Sequence, residues 1–445
     1  MIDSSIYGHL WATEASRAVF SEPARLDRWV EVIAALARAQ ARVGLIPASS
    51  ADAISDLVAS ELDVERIAAD TRATSHSTLG LIRELQRHLP ADAQEHVYMG
   101  TTVQDVTDTA AALEMAAIGQ LIWQDLRSIE ATLLSTATEH RTTPMVGRTH
   151  GQPGAPITFG FKVASWLDEI GRSIERLDQA RDRCLVAQLG GAVGSLGFFG
   201  GNGLALRAAF ADEVGLRQPT VSWLSSRDRI AEFGHILALA TAALARMANE
   251  VFTLQRPEIG ELSETTSPST VGSITMPHKR NPERSEQVVT LARMVRAQAS
   301  LLTETMVQEH ERDARGWKAE WAAFPTLCHH ATASTSLSTE LVRGLQVSTD
   351  AMLTNIAVSG SISSEQLLRR LSDRRGKHTA QAALQDAYGL THRTGKPLTD
   401  ALRSVATPDE ITASLGVDTG SSAAMVDLVV AEAKKRRRAE TDSWR

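Results

Sequence analysis

Apolar residues recur at helical spacing through most of the chain, and the scale of the pattern changes once. Over residues 26–43, Trp29, Ile33, Leu36, Ala37 and Ala41 fall on one face, and Gly44-Leu45-Ile46-Pro47 ends the run. Residues 63–88 read as a second helical region, with Leu79, Ile82, Leu85 and Leu89 in register and Pro90 closing it. Beyond Gly100 the runs lengthen. Residues 101 to about 138, 157 to about 188, 227–258 and 283 to about 309 each predict a helix of roughly 25–35 residues, about 40–50 Å long. Globular helices average about 11–12 residues, so several long ones need long partners, and a bundle is the natural packing.

The apolar faces of these long segments are broad. Ile236, Leu237, Leu239, Ala240, Ala243, Leu244 and Met247 cover more than one stripe, which a helix wet on one side does not need. Burial against several neighbours is expected, and an oligomer would supply them. Gly190 to Ser195 and Gly200 to Gly203 punctuate the joints, and residues 264–275 read as a mobile Ser/Thr/Pro/Gly loop. Past about residue 355 the periods shorten. The expected division is an N-terminal helical domain (1–98), a central long-helix domain (99–355) and a small C-terminal helical domain (356–445).

Composition strengthens the all-α reading. The chain has 445 residues, aromatics make up only 4%, and Ala, Leu, Arg and Glu abound. A formal net charge of -7 gives no electrostatic footprint for nucleic acid, and the basic run from Lys434 to Arg438 reads as a last helical turn or solvated tail. Cys184 and Cys328 alone support neither a disulfide framework nor a cysteine metal site. The first residues lack a signal-peptide pattern, and residues 236–252 look too short and too charged to span a bilayer. A cytoplasmic protein with no membrane partner is the expectation.

Three polar segments border the long helices. Gly100-Thr101-Thr102-Val103-Gln104-Asp105 stands at a helix start, where hydroxyls and N–H groups suit a carboxylate; from spacing alone a plain N-cap with an acid in the first turn explains it better. Arg148-Thr149-His150-Gly151-Gln152-Pro153 carries a histidine, a side chain able to move protons near neutral pH, although it is one of 13. The third segment is Gly272-Ser273-Ile274-Thr275-Met276-Pro277-His278-Lys279-Arg280-Asn281-Pro282. Fixed positive charge there could hold a carboxylate and stabilise the dianion left when the adjacent carbon loses a proton. Ser273 would reach a substrate only after the loop closes.

The third segment resembles the Gly-Ser-Ser-x-Met-Pro-x-Lys-x-Asn-Pro signature of the fumarase/aspartase superfamily, and the other two match its remaining signature regions in order. The resemblance runs over nearly the whole chain, including residues 227–233 and 255–261. It implies an all-α, three-domain subunit whose long helices form a twenty-helix core in a homotetramer, with composite active sites. It also implies Ser273 as general base, Lys279 and Asn281 as the pair that stabilises an aci-carboxylate, and His150 as general acid. Thr101, Thr102, Thr149, Gln152 and His76 become substrate contacts, and Arg227, Arg229 and Ser363 become readers of the rest of the substrate.

Departures from the signature place the chain between two branches. Ile274 replaces the loop's second serine, and residues 5–9 lack the Arg-Tyr pair of adenylosuccinate lyases, which argues against a nucleotide substrate. Residues 308–312 with Trp317-Lys318-Ala319-Glu320-Trp321 resemble the 3-carboxy-cis,cis-muconate cycloisomerase branch, whereas Thr149-His150 fits the lyases. The expected reaction is therefore elimination of a succinylated amine, an N-substituted aspartate, with release of fumarate. The alternatives are a carboxymuconate-type cycloisomerase and a cofactor-independent epimerase or racemase of an aminodicarboxylate such as iminodisuccinate. No His-Glu-x-x-His, phosphate-cradling loop or Gly-x-Ser-x-Gly elbow occurs, so the expectation is a small dicarboxylate substrate with no cofactor and no metal.

Overall fold

A computed structural model describes residues 1–265, 271–276, 278–359, 364–414, 416–439 and 443–444. Its centre is built from five long helices: α1 (Val103–Glu139), α2 (Phe159–Cys184), α3 (Asp228–Leu254), α4 (Glu283–Glu304) and α5 (Ala314–Arg343). α3 packs along α4, α4 along α5, and α1 lies against both α2 and α5, so the bundle closes on itself. Trp123, Phe233, Leu237, Leu244, Val295 and Leu327 share its buried core. Four of the five match the long apolar runs.

The fifth, α5, has no clean apolar stripe. Pro325 lies inside it, and Thr332, Ser334, Thr335, Ser338 and Thr339 are all buried. Four of these hydroxyls enter the core bonded to the helix's own carbonyls: Thr332 donates to the Cys328 carbonyl at 2.9 Å and Ser338 to that of Ser334 at 2.7 Å, and Thr335 and Thr339 do the same. α3 is longer than the apolar segment seen in the sequence and is, by length and composition, able to cross a membrane. Its apolar residues are instead mostly buried within the bundle.

One buried cluster joins N-terminal helices to a helix of the central region. Helix Glu22–Arg42 buries its apolar face with Leu81 and Leu85, but Leu206, Phe210 and Ala211 of helix Gly203–Val214 belong to the same cluster. Residues 367–411 form a small core of their own. The last helix, Ser422–Ala439, returns to α2 and α1. There Arg436 and Arg437 meet the buried Glu130 at 2.9 and 3.0 Å, so part of the basic run is a clasp, and Trp444 lies in the main core against Gly119. The helical region over 63–88 comprises two helices, Val64–Thr74 and Leu79–His88, broken at Ser75, whose φ is +56°.

Two small antiparallel sheets interrupt the helices. β1 (Pro144–Thr149) and β2 (Gln152–Thr158) form a hairpin between α1 and α2, and β3 (Leu262–Glu264) pairs with β4 (Leu345–Val347). Pro153 and Pro156 hid the hairpin in the sequence. Both are tolerated because the ribbon has only two strands and its register shifts at a bulge between Val146 and Arg148.

Candidate active site

The Gly100 segment forms the N-cap that its sequence allowed. Thr102 is the N-cap of α1, and Asp105 closes a capping box by accepting from the Thr102 N–H at 3.0 Å. Asp105 also accepts from the N–H groups of Gly190 and Gly191 at 2.8 and 2.9 Å and from Gln188 Nε2 at 3.2 Å. Burial nonetheless pushes its carboxyl up to about 6. One buried acid thus draws the glycine turn against the helix start and occupies the Thr102 N–H that a substrate was expected to use. Thr101 donates its hydroxyl to the Tyr98 carbonyl at 2.9 Å, and Arg312 reaches the same turn, donating to the Ala192 carbonyl at 2.9 Å.

The second segment is the tip of the β1–β2 hairpin. Thr149 pairs with Gln152, leaving His150 and Gly151 as a two-residue turn with φ of +54° and +74°. Two left-handed residues in succession make a type I′ turn, in which glycine is at ease and histidine is among the side chains that adopt it more readily. Thr149, His150 and Gln152 are all exposed there. Just behind the tip, Arg148 grips the fully buried Glu261 with both arms, at 2.7 and 2.8 Å.

The third segment folds back on itself. Asn281 donates to the Gly272 carbonyl at 2.8 Å and toward Glu283 at 3.2 Å, and the Lys279 N–H donates to the Met276 carbonyl at 3.0 Å. Gly272 is required: a Cβ there would lie 2.1 Å from the Lys279 carbonyl oxygen. Ser273 Oγ accepts from the Met276 N–H at 3.0 Å, and the Lys279 side chain is exposed. Asn281, expected to bind a carboxylate, here staples the loop with its amide hydrogens. Ile274 is 96% exposed on the same loop. Glu264 seals the root by accepting from the N–H groups of Arg284 and Ser285 at the start of α4.

The remaining candidates fall away from these groups. Arg227, expected to read the substrate, is buried with both sides of its guanidinium taken: it meets Asp108 at 2.7 and 3.1 Å and Glu320 at 2.5 and 2.8 Å. Burial works against its charge, yet the two carboxylates hold its pKa above the usual arginine value. It is a structural ion knot, stacked near Trp223. Arg229 donates to the Arg183 carbonyl at the end of α2, and His76 accepts from the Leu79 N–H at 3.2 Å at the start of helix Leu79–His88. Ser363 and residues 266–270 lie outside the described residues. Among the described residues no group of three His, Cys, Asp or Glu side chains is placed to hold a metal ion.

Within one chain the segments therefore fall into two separate groups. Thr101 and Thr102 stand at the start of α1, and the hairpin follows its end. The 37 residues between amount to about 55 Å of helix. A hairpin arm of 6–7 residues reaches back only about 20 Å. The sequence placed Asp105 as an acid in the first turn of α1, but not its hold on Gln188, Gly190 and Gly191. Glu261, the anchor of the second group, lies in the family-like segment 255–261, but its partner, 113 positions away, was not legible.

The profile of the family described as Lyase matches residues 11–297. The chain is 38% identical over 382 residues to an N-acetyl-S-(2-succino)cysteine lyase of Dickeya dadantii, covering 85% of this chain and 84% of the relative. It is 36% identical over 369 residues to a 3-carboxy-cis,cis-muconate cycloisomerase of Pseudomonas aeruginosa, covering 82% and 80%. Among solved structures, a 3-carboxy-cis,cis-muconate lactonizing enzyme from Pseudomonas putida superimposes with a TM-score of 0.89 at 29% identity, over 97% of this chain and 99% of that one. Three polar signatures on an all-α bundle and these likenesses agree: the chain belongs to the Lyase family, within the fumarase/aspartase superfamily.

Proposed function

We propose that the enzyme cleaves the C–S bond of a succinylated thiol, an S-(2-succinyl)cysteine derivative, giving fumarate and the free thiol. The likeness to the Dickeya dadantii lyase carries this reading, and it moves the expected leaving atom from nitrogen to sulfur. Ser273 removes a proton from the succinyl methylene, next to its carboxylate. Lys279 holds that carboxylate as the aci-dianion forms. The electron pair then closes the double bond as the bond from the neighbouring carbon to sulfur breaks, and His150 returns a proton to the thiolate. A thiolate leaves more readily than an amine, so His150 assists the step without being indispensable to it.

The two groups, each a half-site, support assembly between copies. The Thr101–Thr102 start of one protomer, with its glycine turn, is completed by hairpin tips and loops from others, in a homotetramer. Broad exposed apolar positions on the bundle, Leu239, Phe252 and Leu301 among them, suit such contacts.

A second reading, lactonisation of 3-carboxy-cis,cis-muconate, is favoured by the Trp317–Trp321 segment and by the Pseudomonas relatives. The deciding experiment offers both substrates to the purified enzyme. Fumarate absorbance and titratable thiol should rise in equal amounts from N-acetyl-S-(2-succino)cysteine. Loss of muconate absorbance with no thiol release would select the second reading. An epimerase would carry the succinyl substrate's optical rotation to that of an equilibrium mixture of stereoisomers and release neither product.

A further inference from the structure

Glu261 has no place in the reaction as written, yet it joins more elements than any candidate side chain. Its N–H donates to the Leu254 carbonyl at the end of α3, and its carbonyl accepts from Ser348 after β4, both at 3.0 Å. Its buried carboxylate takes the two-armed grip of Arg148 from β1 and a 2.8 Å hydrogen bond from Asn355 Nδ2. Asn355 also donates to the Ile259 carbonyl at 2.8 Å, and its helix, Thr349–Ser359, packs on β1. The next residues after Glu261 are β3, which leads to Glu264 and the root of the Ser273 loop.

Arg148 lies two residues before His150, on the strand that ends at the turn. A two-stranded ribbon alone is marginal in water, so its direction must be fixed from outside. The geometry points to Glu261 as a positioning residue: through Arg148 it aims the His150 tip. This rests on the lyase reading above. A planar guanidinium on a carboxylate fixes angle as well as distance, which neither an amide nor a lysine at these positions reproduces.

The test is Glu261→Gln, with His150→Gln and the double variant, on S-succinylated thiols whose thiol pKa spans the aromatic to the alkyl range. A misaimed acid leaves more charge on sulfur in the transition state. Glu261→Gln should lower kcat for the alkyl thioether roughly 10–100-fold, part of what a general acid supplies. The aromatic thioether should fall less than about 3-fold on the same scale. His150→Gln should steepen the dependence in the same sense, and the double variant should add little. Equal losses at both ends of the series would reduce Glu261 to a fold-stabilising residue and overturn the proposal.

Hydrogen exchange supplies an arm that needs no turnover. Glu261→Gln should speed exchange in residues 144–158 and leave helix Glu22–Arg42 unchanged; an unaltered hairpin also overturns the proposal. A wild-type enzyme that releases no fumarate from any thioether defeats the lyase reading instead, while the exchange result still judges the clamp.

Discussion

The ion knot in the bundle and the polar tips at its periphery use the same chemical groups to opposite ends. Arg227 is buried between Asp108 and Glu320, and Thr305 and Gln104 add hydrogen bonds to those two carboxylates. Every charge there has a partner inside the fold, so none is available to a ligand. His150 and Lys279 are exposed, on a left-handed turn and a folded-back loop, and only the roots of those elements are anchored. In sequence Arg227 and Lys279 looked alike, as cations beside helix boundaries. Partners distinguish them: a charge whose partners all lie within its own subunit builds the fold, and one held out on an anchored turn is left for chemistry.

Removing groups from the tips should change turnover with little effect on folding. Ser273→Ala should cut kcat by roughly 10²–10⁴-fold, the range for a positioned general base. Lys279→Met should remove about 3–4 kcal/mol of transition-state stabilisation. Both variants should melt near the wild-type temperature, read by circular dichroism; a tip variant that unfolds would erase the distinction from the knot.

The knot should behave in the opposite way. Arg227→Met leaves two buried carboxylates without their counter-ion, and breaking a buried pair costs about 3–5 kcal/mol. Denaturant unfolding should register that loss as a lower midpoint. An Arg227→Met enzyme of normal stability whose substrate KM alone had risen would return Arg227 to the substrate site.

A smaller effect sharpens the same contrast at a buried histidine. His329 on α5 meets Ser16 Oγ at 2.9 Å, and burial, followed by the nearby Arg17 and His330, depresses its pKa to about 4. The folded state therefore binds this proton more weakly than the unfolded chain. The contribution is intact above about pH 6.5 and is lost as pH falls toward 4, up to roughly 3 kcal/mol at about 1.4 kcal/mol per unit. The melting temperature of His329→Gln should fall less than that of wild type between pH 7 and 4.5. Parallel curves would place the acid sensitivity elsewhere.

Much of this was legible in the chain because the long helices bury wide faces. The runs around Ile236 to Met247 demanded several neighbours, and α3 has them. α5 was illegible for a physical reason: buried hydroxyls such as those of Thr332 and Thr339 bond to its own carbonyls, which no hydropathy pattern reveals. The three signature segments identified the candidate chemistry, and the 101–138 helix already separated the first two, but the hairpin that carries His150 follows only from the fold. Arg148 and Glu261 find each other across 113 positions, and Asn281 turns inward, through tertiary contacts that a single sequence does not encode in any local pattern.

The central claim is that neither half-site works alone, and subunit mixing tests it most directly. Ser273→Ala and Thr102→Val proteins, each inactive by itself, are unfolded together, refolded, and assayed for fumarate release. The two lesions lie in different half-sites, so mixed oligomers should contain some sites free of both, and activity should return to a measurable fraction of wild type. Activity that stays at the level of the separate variants, in oligomers verified to be mixed, would mean that each chain carries a complete site and would contradict the account.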